Sequence, residues 1–173
     1  MIEKIISGGQ TGVDRGALDA ALASGFPCGG WCPAERVAED GRIPACYPVQ
    51  ELPGAGYRRR TVQNVRDSDA TAILCRGQPS GGTRLTALLC VRERKPVLLI
   101  DAVWATPARA AQLLLVFVER EGVRILNVAG PRESGWPQAR AFSRQTIARF
   151  LSGPNGDGGR SRRDGCSSCS ELL

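Results

Sequence analysis

The sequence predicts an α/β protein in which helices cover both faces of a parallel sheet, giving three layers. Short apolar runs alternate with helical patterns along the first 151 residues, and this order is typical of parallel sheets. The run from Pro96 to Ile100 is apolar throughout, as expected of a strand buried on both faces. Three of the predicted strands lead into turns rich in Gly, Ser and Thr.

The first unit joins a strand at residues 2–6 to a helix at residues 13–24. Ile2 to Ile6 form a short, largely apolar run. Small residues then recur at helical spacing from Val13 to Ser24, which lets a helix lie close to the sheet. Gly25-Phe26-Pro27 ends this helix.

Residues 28–56 form a long excursion rich in Gly, Pro and Cys. We predict short strands at 28–31 and 49–52 and a turn at Asp40-Gly41. Long loops in compact domains are usually functional, so this one is a candidate cover for a ligand site. Trp31 and Tyr47 would either stack on the ligand or pack the loop down.

Further strands and helices alternate in the rest of the domain. Tyr57, Thr61 and Val65 mark a helix, and Thr106-Pro107 starts another with proline in its first turn. We predict helices at 57–68, 84–94, 106–121 and 138–151, and strands at 69–75, 96–100 and 123–129. Residues 1–151 thus form a single domain, and the Gly/Ser/Arg/Asp-rich tail at 152–173 is expected to be disordered.

Composition excludes several classes of function. The chain has no histidine, which removes Ser-His-Asp and Cys-His catalysis. Its net charge is +6, but acidic residues are interspersed, so nucleic-acid binding is not expected. No apolar run reaches membrane-spanning length and no signal-peptide pattern is seen, so we expect a cytoplasmic protein. Cys28, Cys32 and Cys46 lack a fourth spaced ligand, and we predict no metal site there or at Cys166 and Cys169.

The three polar turns predict an anion site at one edge of the sheet. They follow the strands at 2–6, 69–75 and 123–129, and the carboxyl ends of parallel strands gather ligands. Neither G-x-G-x-x-G nor a Walker lysine is present, so neither a routine NAD enzyme nor a P-loop ATPase is supported. Backbone N–H groups, hydroxyls and arginines remain to hold a phosphorylated ligand.

Several stretches resemble the molybdenum-cofactor carrier family, a circularly permuted, YpsA-like branch of the SLOG superfamily of Rossmann-like proteins. The resemblance covers residues 1–151 but not the tail. The chain departs from the family pattern at Ala34-Glu35, where a Lys-Gly pair is common in the family. The residues that carry the resemblance are Ser7–Arg15, Gly30–Pro33, Ala38–Gly41, Arg60-Thr61 with Asn64-Val65, Asp67–Asp69, Ser80–Thr83 and Leu126–Ser134.

The resemblance implies a Rossmann-like homo-oligomer, a dimer or tetramer, that holds molybdenum cofactor without converting it. The phosphate and metal oxygens of the cofactor would sit on amide groups and arginines, and the pterin would need hydrogen-bond partners. The residues expected to bind the ligand lie in the three turns, at the head of the first helix and at one arginine of the second: Gly8, Gly9, Gln10, Thr11, Gly12, Asp14, Arg15, Arg60, Ser80, Gly81, Gly82, Thr83, Asn127, Gly130, Pro131, Arg132, Glu133 and Ser134.

Two alternatives remain open at the level of sequence. One is a regulatory module that senses a nucleotide derivative. The other is an enzyme like the nucleotide phosphoribohydrolases of the superfamily, which carry P-G-G-x-G-T-x-x-E. Here Thr86 and Ala87 stand where that motif needs its glutamate, and only Glu133 or Asp14 could act in its place as acid or base. We therefore predict binding rather than catalysis, and name no catalytic residue.

Overall fold

Five parallel strands form the central sheet of the computed structural model, which describes residues 1–153. The strands are β1 (Lys4–Ile6), β2 (Cys28–Gly29), β7 (Ala70–Cys75), β8 (Val97–Asp101) and β9 (Ile125–Ala129). Their order in the sheet is β2-β1-β9-β7-β8, and every neighbouring pair runs parallel. The expected tail lies outside the described residues from position 154 onward.

Helices cover both faces of the sheet and complete the three predicted layers. One face carries α1 (Val13–Ala23), α4 (Pro107–Glu121) and α5 (Ala139–Leu151), whose apolar side chains share the main core with the sheet. The other face carries α2 (Tyr57–Arg66) and α3 (Gly81–Arg92), which pack around Val65, Leu89 and Cys90. The predicted α/β fold is therefore confirmed.

The helix α1 lies very close to α5 because it presents small residues. A Cβ atom added at Gly16 would lie 2.4 Å from the carbonyl oxygen of Arg140. Ser143 of α5 donates a hydrogen bond of 2.8 Å to the carbonyl oxygen of Val13. This close packing fixes the first half of α1 against α5.

The helix α3 begins three residues earlier than the sequence predicted. The expected start was Arg84, whereas the helix starts at Gly81 after an extended Ser80. Gly81, Gly82 and Thr83 therefore form its first turn instead of a loop. The helix also ends earlier, since Glu93 caps it and Arg94 adopts a φ of 55°.

The excursion between β2 and α2 contains four short strands and one 3₁₀ turn. The strands β3 (Trp31–Cys32) and β6 (Gln50–Glu51) pair in parallel, and β4 (Val37–Ala38) and β5 (Gly41–Arg42) form an antiparallel hairpin. The predicted turn at Asp40-Gly41 lies in this hairpin. The apolar residues of the excursion pack on Leu18 of α1 and form a second small core.

Candidate functional site

The loops after β1, β7 and β9 border one cavity of about 330 Å³. These strands lie side by side in the sheet, so their carboxyl ends are adjacent. The cavity brings together most of the residues that the sequence singled out: Gly8, Gln10, Asp14, Arg60, Ser80, Gly81, Gly82, Thr83, Asn127, Gly130, Pro131, Arg132 and Ser134.

The remaining predicted residues, Gly9, Thr11, Gly12, Arg15 and Glu133, lie outside the cavity wall. Gly9 has a φ of +75°, and a Cβ there would lie 3.2 Å from Ile43, in the small core below the loop. A Cβ at Gly12 would lie 2.4 Å from the carbonyl oxygen of Pro131. Both glycines thus allow the opening loop to pack against its neighbours.

Arg15 is turned away from the cavity and holds the β4–β5 hairpin. Its Nη1 and Nη2 atoms donate to the two carboxylate oxygens of Asp40 at 2.5 and 2.8 Å, and its Nε donates to the carbonyl oxygen of Gly9 at 3.1 Å. These bonds from Arg15 hold the pKa of Asp40 below its usual value. The guanidinium of Arg15 therefore stabilises the fold by joining the hairpin to the opening glycine loop.

Thr11 and Glu133 belong to a neighbouring junction between loops. Thr11 donates its hydroxyl hydrogen to Glu39 and accepts a 3.3 Å hydrogen bond from the backbone N–H of Glu133. Ser134 donates to the other oxygen of Glu39 at 2.5 Å. Burial opposes ionisation of Glu39, but the bonds from Ser134 and Thr11 outweigh it and lower its pKa. Glu39 therefore joins the first and third loops.

The N-terminus of α3 opens into the cavity. Ser80, Gly81, Gly82 and Thr83 all line it. Within the described chain, the Ser80 side chain makes no capping hydrogen bond, so it does not occupy the first N–H groups of the helix. Such N–H groups, together with the positive end of the helix dipole, attract anions.

Arginines from three different elements surround the cavity. Arg132 follows β9, and its guanidinium lies 4.6 Å from the centre of the Tyr57 ring, a cation–π contact that holds it over α2. Arg76 follows β7, and Arg60 comes from α2. Guanidinium groups bind phosphate oxygens in bidentate fashion, so this wall suits a phosphorylated ligand.

Asp14 is a buried carboxylate in the cavity wall. It is 4% exposed, and its Oδ2 accepts from Arg60 Nη1 and from the backbone N–H of Gln10, both at 3.3 Å. Burial raises its pKa, while the positive charge of Arg60 acts in the opposite direction. Asp14 thus orders Arg60 beside the opening glycine loop.

Several residues of the wall were missed from the sequence. Tyr57, Thr61 and Asn64 line the cavity from α2. Arg76 could have been found, because it directly follows the end of β7. Gln78, Thr86 and Trp136 also contribute.

The aromatic residues of the excursion pack the loop and do not line the cavity. Trp31 donates its Nε1 hydrogen to Asp67 at 2.6 Å, and its backbone is held by Asn64 through two hydrogen bonds. Tyr47 is 5% exposed and donates to Asp19 at 2.8 Å. Of the two roles considered for these aromatics, packing is the one observed.

The cysteines of the described residues are free thiols. Burial raises the pKa of Cys75, at the cavity wall, to about 11, so this thiol stays protonated at neutral pH. Across residues 1–153, no three His, Cys, Asp or Glu side chains are grouped to hold a metal ion. Cys166 and Cys169 lie outside the described residues. None of the helices in the described part is both long and apolar enough to cross a membrane.

Comparison with known proteins gives a family. The model of the circularly permutated YpsA SLOG family matches residues 5–151. A crystal structure named as that of a "putative molybdenum carrier protein" from Syntrophus aciditrophicus SB is 42% identical, covers 87% of this chain and 96% of its own, and superposes with a TM-score of 0.84. The curated proteins contain no match. The chain therefore belongs to the circularly permuted YpsA family of the SLOG group.

Proposed function

We propose that this protein is a carrier that holds molybdenum cofactor, an anionic phosphorylated pterin, in the cavity at the carboxyl edge of the sheet. The observation that carries the proposal is the N-terminus of α3 opening into a cavity walled by Arg60, Arg76 and Arg132. The 42% identical protein named as a molybdenum carrier supports the choice of ligand.

The residues of the wall suit binding through oxygen atoms. The phosphate would lie on the first turn of α3, where N–H groups and the helix dipole favour negative charge. Arg132 and Arg76 would neutralise it. The cavity volume of about 330 Å³ is at the lower end of ordinary ligand pockets and suits one small molecule.

Binding without conversion is the activity that this wall favours. Thr86 lines the cavity where the phosphoribohydrolase motif would supply glutamate, and its hydroxyl is bonded to the carbonyl oxygen of Gly82 at 3.0 Å. Asp14 is paired with Arg60, and Glu133 lies outside the wall. A cytoplasmic location remains part of the proposal, since free thiols are typical of reducing compartments.

We also propose that the carrier acts as a homo-oligomer. Large apolar side chains are exposed around the edge strand β8: Leu88, Val91, Leu99, Val103 and Trp104, of which Trp104 is 85% exposed. Exposed apolar patches of this kind commonly mark interaction surfaces. A second copy of the chain is the partner that would cover the patch.

The anion site can be tested at Gly82 with a matched pair of variants. A Cβ at Gly82 meets no atom within 4 Å, so Gly82→Ala and Gly82→Asp should both fold. The aspartate places a negative charge in the first turn of α3, where it should repel the ligand and reduce bound pterin and molybdenum at least about tenfold. Gly82→Ala should retain the ligand of the wild type.

The measurement is mass spectrometry with metal analysis of what co-purifies with each protein. Thermal unfolding should show that neither variant is destabilised. Equal loading of Gly82→Asp and wild type would show that α3 does not hold the anion. If a nucleotide co-purifies instead of pterin and molybdenum, the ligand is a nucleotide and not molybdenum cofactor.

A further inference from the structure

One corner of the cavity is built around the buried Asp14 carboxylate. Gly8, Gln10, Asp14 and Arg60, which we call the Asp14 corner, all line the cavity. Gln10 N and Arg60 Nη1 share the Oδ2 atom of Asp14 as acceptor, so these residues are immediate neighbours. Gly8 makes room for the guanidinium, because a Cβ there would lie 1.4 Å from Arg60 Nη1.

Two buried polar atoms of this corner have no hydrogen-bond partner among residues 1–153. They are Gln10 Oε1 and Arg60 Nε. The orientation of the Gln10 amide is fixed, because its Nε2 donates to the carbonyl oxygen of Val37 at 2.8 Å and an oxygen could not take that place. The corner therefore contains one unpaired acceptor and one unpaired donor, and buried polar atoms are rarely left unpaired.

The Asp14 carboxylate adds a second acceptor. A carboxylate offers about four lone-pair positions, and two long hydrogen bonds leave it capacity for a further donor. Two acceptors and one donor complement a ring edge that carries two donors and one carbonyl. A 2-amino-4-oxo-pyrimidine ring has this edge, with its amino group and ring N–H as donors and its oxygen as acceptor.

We infer that the Asp14 corner recognises the 2-amino-4-oxo-pyrimidine edge that pterins share with guanine, so that the cavity also binds guanine nucleotides. The inference rests on the proposed function, because it takes the phosphate of the same ligand to lie on α3. Both sites line one cavity, so a single phosphorylated heterocycle can contact the two.

Adenine does not match this corner. Its ring nitrogen beside the amino group accepts instead of donating, and it has no carbonyl oxygen for Arg60 Nε. Hypoxanthine has the carbonyl and the ring N–H but lacks the 2-amino group. The three nucleotides share ribose and phosphate, so differences in their affinity report the ring edge alone.

The experiment is calorimetric titration of the full chain with GMP, IMP and AMP. GMP should bind at least about tenfold more tightly than AMP, with IMP between them, as expected for one or two buried hydrogen bonds. Two variants test the assignment. Gln10→Met removes the free acceptor, and Arg60→Lys removes Nε while keeping a positive charge near Asp14. Each should bring the GMP-to-AMP ratio below about threefold.

The outcomes separate this inference from the proposed function. Equal affinity for GMP and AMP, or no binding of GMP, overturns the inference, whereas pterin and molybdenum on the purified protein would still uphold the carrier. A GMP preference that survives in both variants also overturns the inference, because the Asp14 corner would then not be the part of the cavity that distinguishes guanine from adenine. Thermal unfolding of both variants checks that they remain folded.

Discussion

Asp14 and Arg15 are neighbours in the sequence but serve different parts of the molecule. Successive residues of a helix point about 100° apart, so the two side chains leave α1 in different directions. Asp14 enters the cavity wall and orders Arg60. Arg15 instead binds Asp40 and the carbonyl oxygen of Gly9. The first turn of α1 thereby shapes the cavity through Asp14 and holds the β4–β5 hairpin through Arg15.

The ion pair between Arg15 and Asp40 gives a prediction for stability. Asp40→Asn should lower the free energy of unfolding by about 1 kcal/mol at pH 7, a modest amount because the Asp40 side chain is 48% exposed. The pKa of Asp40 is depressed in the folded protein from an ordinary value of 3.8. Its contribution is therefore complete above that value and is lost as the pH falls through the folded pKa.

Urea denaturation at pH 7 and at about pH 3 measures this difference, which should shrink at the lower pH. Glu121→Gln is the control, because Glu121 pairs with its exposed neighbour Arg120 and its loss should change stability by less than about 0.5 kcal/mol. An Asp40→Asn effect that stayed constant with pH would contradict the role of the charge.

At the scale of elements, the sequence predicted regular strands and helices well and the excursion poorly. The α4 helix was expected from Thr106-Pro107, and its N-cap bond from Arg109 N to Thr106 Oγ1 is local. The path of the excursion depends instead on distant contacts that no short pattern reveals. The same holds for the cavity: the turn residues at strand ends and Arg60 were predicted, but Tyr57, Thr61 and Asn64 of the same helix were not.

Arg36 holds part of the excursion together through its side chain. It lies at the end of the 3₁₀ turn Ala34–Arg36 with a φ of 54°. Its guanidinium donates to the carbonyl oxygens of Ile43, Pro44, Tyr47 and Val49 at 2.8 to 3.0 Å. A single side chain thus gathers the backbone of residues 43–49, which carries Ile43 and Val49 beneath the opening glycine loop.

Arg36→Met should therefore loosen the excursion. Four charge-assisted bonds are lost while the carbonyl oxygens stay partly buried, so we expect the free energy of unfolding to fall by about 3 kcal/mol. Amide hydrogen exchange should accelerate at residues 43–49 well before it does in β7.

Arg42→Met is the matched control in the same segment. The Arg42 side chain is 73% exposed and lies 3.9 Å from Glu51, so its loss should alter stability by less than about 0.5 kcal/mol. Unchanged exchange at residues 43–49 in Arg36→Met would mean that Arg36 does not hold this part of the excursion.

At the scale of the whole molecule, the two ends of the sheet are unlike. The β2 end is covered by the excursion, whose apolar residues pack on α1. At the other end β8 pairs only with β7 within the described chain. The expectation that this apolar strand is buried on both faces is wrong, because β8 lies at the edge of the sheet and Leu99 is 45% exposed. An exposed apolar edge strand is a template for pairing with another chain unless something covers it.

Antiparallel pairing of β8 with β8 of a second copy would close this edge and bury the exposed residues of α3. Leu99→Lys should prevent it, because a lysine on an edge strand opposes pairing, and should convert an oligomer to a smaller species. Leu22→Lys is the control, since Leu22 is 42% exposed on α1, away from β8. Sedimentation equilibrium gives the masses. A monomeric wild type, or a Leu99→Lys variant with the wild-type mass, would show that copies do not meet at β8.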